Sequence, residues 1–227
     1  YMAMKHNLAV EEVIAAVIDG VKLGQQDFSI KINLIGILSR TFGVKKCDLE
    51  LAALLVYKDD LVAIDLAGDE LGQPGELFVD HFKQVNNAGL YITIHAGEAD
   101  GANSIWQAII DLQATRIGHA VNAIKDVKLM DYIIEHHIAI ESCLTSNYQT
   151  GSIIDMAMHP VKEFLEKGLL VCLNSDDPAV QGIDIKDEFI LTAAEVGLSD
   201  LQCRTLQENA LKAAFLSNSE KEQLKNI

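Results

Sequence analysis

The chain is short of positive charge. Its 227 residues carry 18 Lys and Arg against 33 Asp and Glu, a formal net charge of −15. Binding to nucleic acid calls for a concentrated basic surface, so that class of partner is not expected. Long apolar runs are also lacking. The longest, residues 51–57, falls far below the about 20 residues of a membrane-spanning helix, and no membrane partner is expected. No basic stretch followed by an apolar segment opens the sequence, so nothing supports secretion. Four cysteines (Cys47, Cys143, Cys172 and Cys203) form no CxxC pair. That speaks against a disulfide frame and against a thiolate zinc site, and fits reduced, buried thiols in a cytoplasmic protein. Neither GxGxxG nor GxxxxGK[ST] occurs, which disfavours a dinucleotide or P-loop sheet. Low-complexity tracts and composition breaks are absent, so residues 1–227 read as one domain.

What is present is an alternation of short apolar runs and helical patterns. Residues 7–26 read as a helix, with Val10, Val13, Ile14, Val17, Ile18 and Val21 at helical spacing and Glu11 and Glu12 in the first turn. Strands are predicted over 30–38, 61–67, 91–94, 116–118, 138–144 and 169–173. Between and after them, helices are predicted over 47–57, 77–87, 104–113 (capped by Asn103 or Ser104), 126–136, 160–167, 185–195 and 199–215. Six strand–helix units with strands apolar on both faces predict a parallel sheet covered by helices. Pattern alone leaves open a doubly wound sheet or part of a closed barrel, which needs eight units.

Either arrangement places ligands at the carboxyl ends of the strands. Polar residues follow nearly every one of those ends: Gly68-Asp69-Glu70, then His95 and Glu98, then His119, then Thr145-Ser146-Asn147, then Asp176-Asp177. Parallel strands bring such residues together. Histidine and aspartate are good zinc ligands, and a metal with an open position activates water. A glutamate across from it can donate a proton. Plainer readings stay open at this stage. Asp176-Asp177-Pro178 reads equally as a turn with a helix cap, Gly68-Asp69 as a strand exit, His119 as a core histidine and Asn147 as a cap. His136, His137 and His159 read as structural, Cys143 and Cys172 as core, and Glu141 has no assigned role.

Five segments in register resemble the motifs of the adenosine deaminase family: Asp65-Leu66-Ala67-Gly68-Asp69-Glu70, Thr93-Ile94-His95-Ala96-Gly97-Glu98, Arg116-Ile117-Gly118-His119, Ser142-Cys143-Leu144-Thr145-Ser146-Asn147 and Asn174-Ser175-Asp176-Asp177-Pro178. The resemblance covers essentially the whole chain and is nearest to the bacterial enzymes. It implies a TIM barrel, a (β/α)8 fold of the metal-dependent hydrolase type, here as about six of the eight units, and zinc-dependent conversion of adenosine or deoxyadenosine to inosine and ammonia in purine salvage. By the same resemblance His95 and Asp176 are zinc ligands and Glu98 donates a proton to the purine N1. His119 orients the metal-bound hydroxide, Asp177 bonds the purine ring, and the backbone at Gly68 contacts the purine. Ala120 stands where the family often has glycine, and Ser175 where threonine is common. The family's opening strand carries His-x-His, which supplies two further zinc ligands, and no His-x-His occurs here. The resemblance therefore implies that this chain is the carboxy-terminal portion of the barrel, expected to bind zinc poorly and to show little activity without its amino-terminal segment. Two alternatives are a deaminase of adenine or another aminopurine, and an inactive segment acting only in binding or assembly. A cytidine-type deaminase is disfavoured by the absence of Pro-Cys-x-x-Cys.

Overall fold

The computed structural model describes residues 2–225. In chain order the elements are α1 (Met2–His6), α2 (Val10–Asp27), β1 (Leu34–Ser39), α3 (Val44–Val56), β2 (Leu61–Ala67), α4 (Val79–Asn87), β3 (Tyr91–Ala96), α5 (Ala102–Ile110) and β4 (Arg116–His119). They continue with α6 (Val127–Glu135), β5 (Ala139–Ser142), α7 (Leu144–Gln149), α8 (Val161–Glu166), β6 (Leu170–Leu173), α9 (Pro178–Gln181), α10 (Ile185–Val196), α11 (Asp200–Ala213) and α12 (Asn218–Leu224). Among the described residues no helix is long and apolar enough to cross a membrane.

The six strands form one parallel sheet in the order β1-β2-β3-β4-β5-β6. A doubly wound sheet reverses direction partway across. Here every strand pairs with the next, so the winding never reverses, which is the strand order of a barrel. β1 and β6 each pair on one side only among the described residues.

The strands are not apolar on both faces, as the pattern implied. Ile64 and Leu66, Ile92 and Ile94, Ile117, Ile140, Val171 and Leu173 join one core with helix residues such as Leu51, Phe82, Ile105 and Phe164. The alternate positions, Asp65, Thr93, His95, Arg116 and Glu141, point the other way and bond to one another. On that inner face a charged cluster runs from β3 across β4 and β5 to the residue after β6. Arg116 Nε lies 3.2 Å from Glu141 Oε2, which also accepts from Thr93 Oγ1 at 3.0 Å, while Glu141 Oε1 accepts from Asn174 Nδ2 at 3.2 Å. The Arg116 guanidinium sits 3.9 Å from the centre of the Phe215 ring, which stacks on Tyr91. Glu141 thus has a structural role that its sequence context does not reveal.

Several predicted boundaries move. The first strand begins at Leu34 instead of residue 30, and the strand predicted over 138–144 stops at Ser142 because α7 begins at Leu144. Gly101, not Asn103 or Ser104, occupies the N-cap of α5. The single helix predicted over 7–26 begins at Val10, and a separate short turn of helix, α1, precedes it.

Candidate active site

Sequence reasoning places six residues at the strand ends, and the structure gathers the chemical ones closely. One ligand atom from each of His95, His119 and Asp176 lies within 4.8 Å of the others. His95 closes β3 and is held from two directions. Its Nδ1 lies 2.8 Å from Asp65 Oδ2, and its backbone carbonyl accepts from the buried Arg40 Nη2. A carboxylate behind the ring leaves Nε2 for a metal, the arrangement that orients most metal-bound imidazoles. Burial works against a charge on His95. The Asp65 carboxylate, with Asp176 and Glu141 beyond it, outweighs that and raises the pKa to about 9. A metal binding here therefore displaces a proton. Asp65 was visible in the sequence as a lone carboxylate in an apolar strand, a position that demands a partner.

Glu98 is set by a neighbour that motif reading left without a role. Glu70, buried beyond β2, accepts from the backbone N–H groups of Gly97 (2.5 Å), Glu98 (3.1 Å), Ala99 (2.7 Å) and Asp100 (3.1 Å), and from Ser104 Oγ (2.5 Å). This carboxylate fastens the loop after β3 to the exit of β2. Glu98 then turns inward. Its Oε2 lies 3.4 Å from His119 Nε2, and its Oε1 accepts from Asn147 Nδ2 at 3.3 Å, Thr150 Oγ1 at 3.1 Å and Ser152 Oγ at 3.3 Å.

His119 ends β4 in a buried position, its ring 4.9 Å from that of His95. Burial and then the neighbouring His95 push its pKa down, so it is neutral. Its Nδ1 meets Asn147 Nδ2 at 3.0 Å. Asn147 is neither a cap nor incidental: it lies inside α7, whose first turn is pinned by buried Glu188, which accepts from Thr145 N at 3.2 Å and Thr145 Oγ1 at 2.5 Å. From the same turn Ser146 Oγ donates to Asp176 Oδ2 at 2.6 Å.

The backbone around these groups is strained in one place after another. His119 (φ 65°), Ala120 (φ 52°) and Asp176 (φ 55°) adopt left-handed conformations that L-residues resist, a pattern typical of functional sites. Ala120 explains the family's glycine there. Gly68 (φ 114°) needs to be glycine twice over, since a Cβ would also lie 2.3 Å from Thr41 Oγ1. Asp177 stands at the N-cap of α9 yet makes no side-chain cap bond, so the helix-cap reading of this aspartate fails and its carboxylate stays exposed. Gly68 is exposed on the same rim.

A singly wound parallel sheet with imidazole and carboxylate donors at its carboxyl end is the architecture of the metal-dependent amidohydrolase barrels. The adenosine deaminase family model matches residues 1–227. A protein named adenosine deaminase from Vibrio parahaemolyticus is 60% identical over 225 residues, 99% of this chain and 67% of its own length. The chain belongs to the adenosine deaminase family and spans about two thirds of the length of such relatives. The fold likewise matches a crystal structure of adenine deaminase from Arthrobacter aurescens (TM-score 0.91, 27% identity, 98% of this chain and 68% of that one). An Arabidopsis protein complexed with IMP matches at TM-score 0.76 and 27% identity, over 87% of this chain and 57% of that one.

Proposed function

We propose that this chain forms the larger part of an adenosine deaminase active site, converting adenosine or deoxyadenosine to inosine and ammonia. The observation that carries the reading is the convergence of His95, Asp176, His119 and Glu98 at one end of the sheet. The donors fit zinc: an imidazole with Nε2 left available by Asp65, and a carboxylate oriented by Ser146. When bound, zinc supplies the acidity that lets water attack at neutral pH.

The chain's own residues do the rest. Glu98, fixed by the Glu70 cradle, gives its proton to N1 as oxygen adds at C6, so electrons displaced from the C6–N1 bond end on a neutral nitrogen. Three donors crowd Oε1, which leaves Oε2 to carry that proton. His119 borders the attacking oxygen. Loss of ammonia, with the amino nitrogen taking the proton that leaves the added oxygen, then restores the ring carbonyl. Asp177 and the Gly68 backbone bond the purine from the exposed rim. His95 and Asp176 alone do not complete a tetrahedral set, and we place the remaining two ligands on a His-x-His segment in the third of the relatives' length that this chain does not span. The ascribed setting is purine salvage in the cytoplasm.

The test is complementation. The chain alone, and the chain with the complementary third of the Vibrio parahaemolyticus relative, are compared for bound zinc and for ultraviolet-detected deamination of adenosine. Zinc and turnover are expected only in the pair. Stoichiometric zinc and full turnover from the chain alone would remove the need for added ligands. A zinc-loaded pair with no deamination of adenosine would defeat the function. Adenine is the competing substrate, because the Arthrobacter aurescens structure is named an adenine deaminase, and the same pair assayed with adenine separates the two.

A further inference from the structure

Two polar residues outside the roles given so far form a directed chain into the site. His159 is buried, and its Nδ1 accepts from the backbone N–H of Val161 at 3.2 Å. A backbone N–H can only donate, so Nδ1 is bare and the ring's proton resides on Nε2. That nitrogen lies 3.2 Å from Asn147 Oδ1. Asn147 is thereby oriented, with its carbonyl to His159 and its NH₂ group to the other side. There the two N–H bonds have two receivers, His119 Nδ1 at 3.0 Å and Glu98 Oε1 at 3.3 Å. Every donor in the series meets an acceptor, and no other assignment of Asn147 or His159 achieves this.

Resting on the deaminase reading, we propose that Asn147 and His159 are positioning residues that fix the tautomer of His119, keeping Nδ1 bare and the proton on Nε2. Protonating Nδ1 would set two N–H groups face to face across 3.0 Å. The consequence for the chemistry is specific. A nitrogen that carries hydrogen cannot ligate a metal. His119 therefore leaves the convergent trio as a ligand and acts as a hydrogen-bond donor on the side where Glu98 lies. The same proton prevents Nε2 from taking up the first proton of the attacking water. His119 orients and stabilises negative charge on oxygen and does not start as the base.

Long-range proton–nitrogen correlation NMR on isotope-labelled histidine reports the tautomer directly, without metal and without turnover. In metal-free chain, at a mildly alkaline pH where ordinary histidines are neutral, both His159 and His119 are expected with Nε2 protonated and Nδ1 bare. Asn147→Asp presents only acceptors, so His119 is expected to flip to Nδ1–H. His159→Gln retains a donor for Asn147 and is expected to preserve the wild-type tautomer of His119. A wild-type His119 protonated on Nδ1, or on both nitrogens, overturns the proposal, as does an unchanged tautomer in folded Asn147→Asp. If that variant does not fold, the wild-type spectrum still decides. An active complemented enzyme with His119 in the Nδ1–H form defeats the positioning role alone. The stated tautomer in a zinc-loaded pair that fails to deaminate adenosine defeats the function alone.

Discussion

Two polar clusters on the inner face of the sheet are built from the same materials and put to different uses. Each has a buried arginine, carboxylates and small polar side chains. In one, Arg116, Glu141, Thr93, Asn174 and Phe215 bond or pack chiefly with one another. In the other, at the carboxyl ends of the strands, Arg40, Asp65 and Glu70 serve to hold others: the His95 backbone, the His95 ring and the Glu98 loop. His95 and Glu98, so held, and the exposed Asp176 and Asp177 keep part of their bonding capacity unspent. Left-handed backbone at His119, Ala120 and Asp176 occurs at this end. What each cluster holds, not its polarity, separates structure from site.

That contrast can be broken most forcefully at Glu98. Glu98→Gln keeps the shape and removes the proton, so the complemented enzyme should lose about a hundredfold to ten-thousandfold in kcat with its thermal midpoint nearly unchanged. The opposite split is expected in the other cluster. Glu141→Ala strands Arg116 in the interior and should cost about 3–5 kcal/mol in denaturant unfolding, with a far smaller loss of kcat in the protein that stays folded than Glu98→Gln causes. A third, smaller effect concerns His159. Burial, then His119, lowers its pKa to about 3. Below the ordinary histidine pKa the unfolded chain binds a proton that the folded chain refuses. Stability is therefore full above about pH 6.5 and falls as pH drops toward 3, by up to about 1.4 kcal/mol per pH unit. Unfolding curves across that window should flatten in His159→Gln; an unchanged slope would show that His159 is not buried neutral. Smallest is Ala120→Gly, which relieves a left-handed alanine and should stabilise by about 0.5–1 kcal/mol, read as a small rise in thermal midpoint.

Much of the site was legible because parallel strands end in one place, so His95, Glu98, His119 and Asp176 announced themselves by following apolar runs. The choice of barrel over doubly wound sheet was not, since strand order is set by pairings that no local pattern records. Glu141 and Arg116 were opaque for a related reason: their partners lie on neighbouring strands at a register visible only once the sheet exists. Asn147 and His159 gave little away because each looks like a common local device, a cap and a lone histidine, and only the folded chain brings Asn147 beside both His119 and His159. Ala120 and Gly68 were legible as deviations or motifs, but their cause, a left-handed turn at the end of a strand, is a property of the backbone.

The double grip on His95 has a consequence for exchange. A side chain tethered at its ring by Asp65 and at its carbonyl by Arg40 cannot swing out to escort an ion in or out. In the proposed metal centre, the ordering of this ligand would be completed when the chain folds, before any ion arrives. Uptake and release would then fall to the less restrained ligand, Asp176, exposed and steadied by one serine hydroxyl. In that centre His95 would be the anchor and Asp176 the gate.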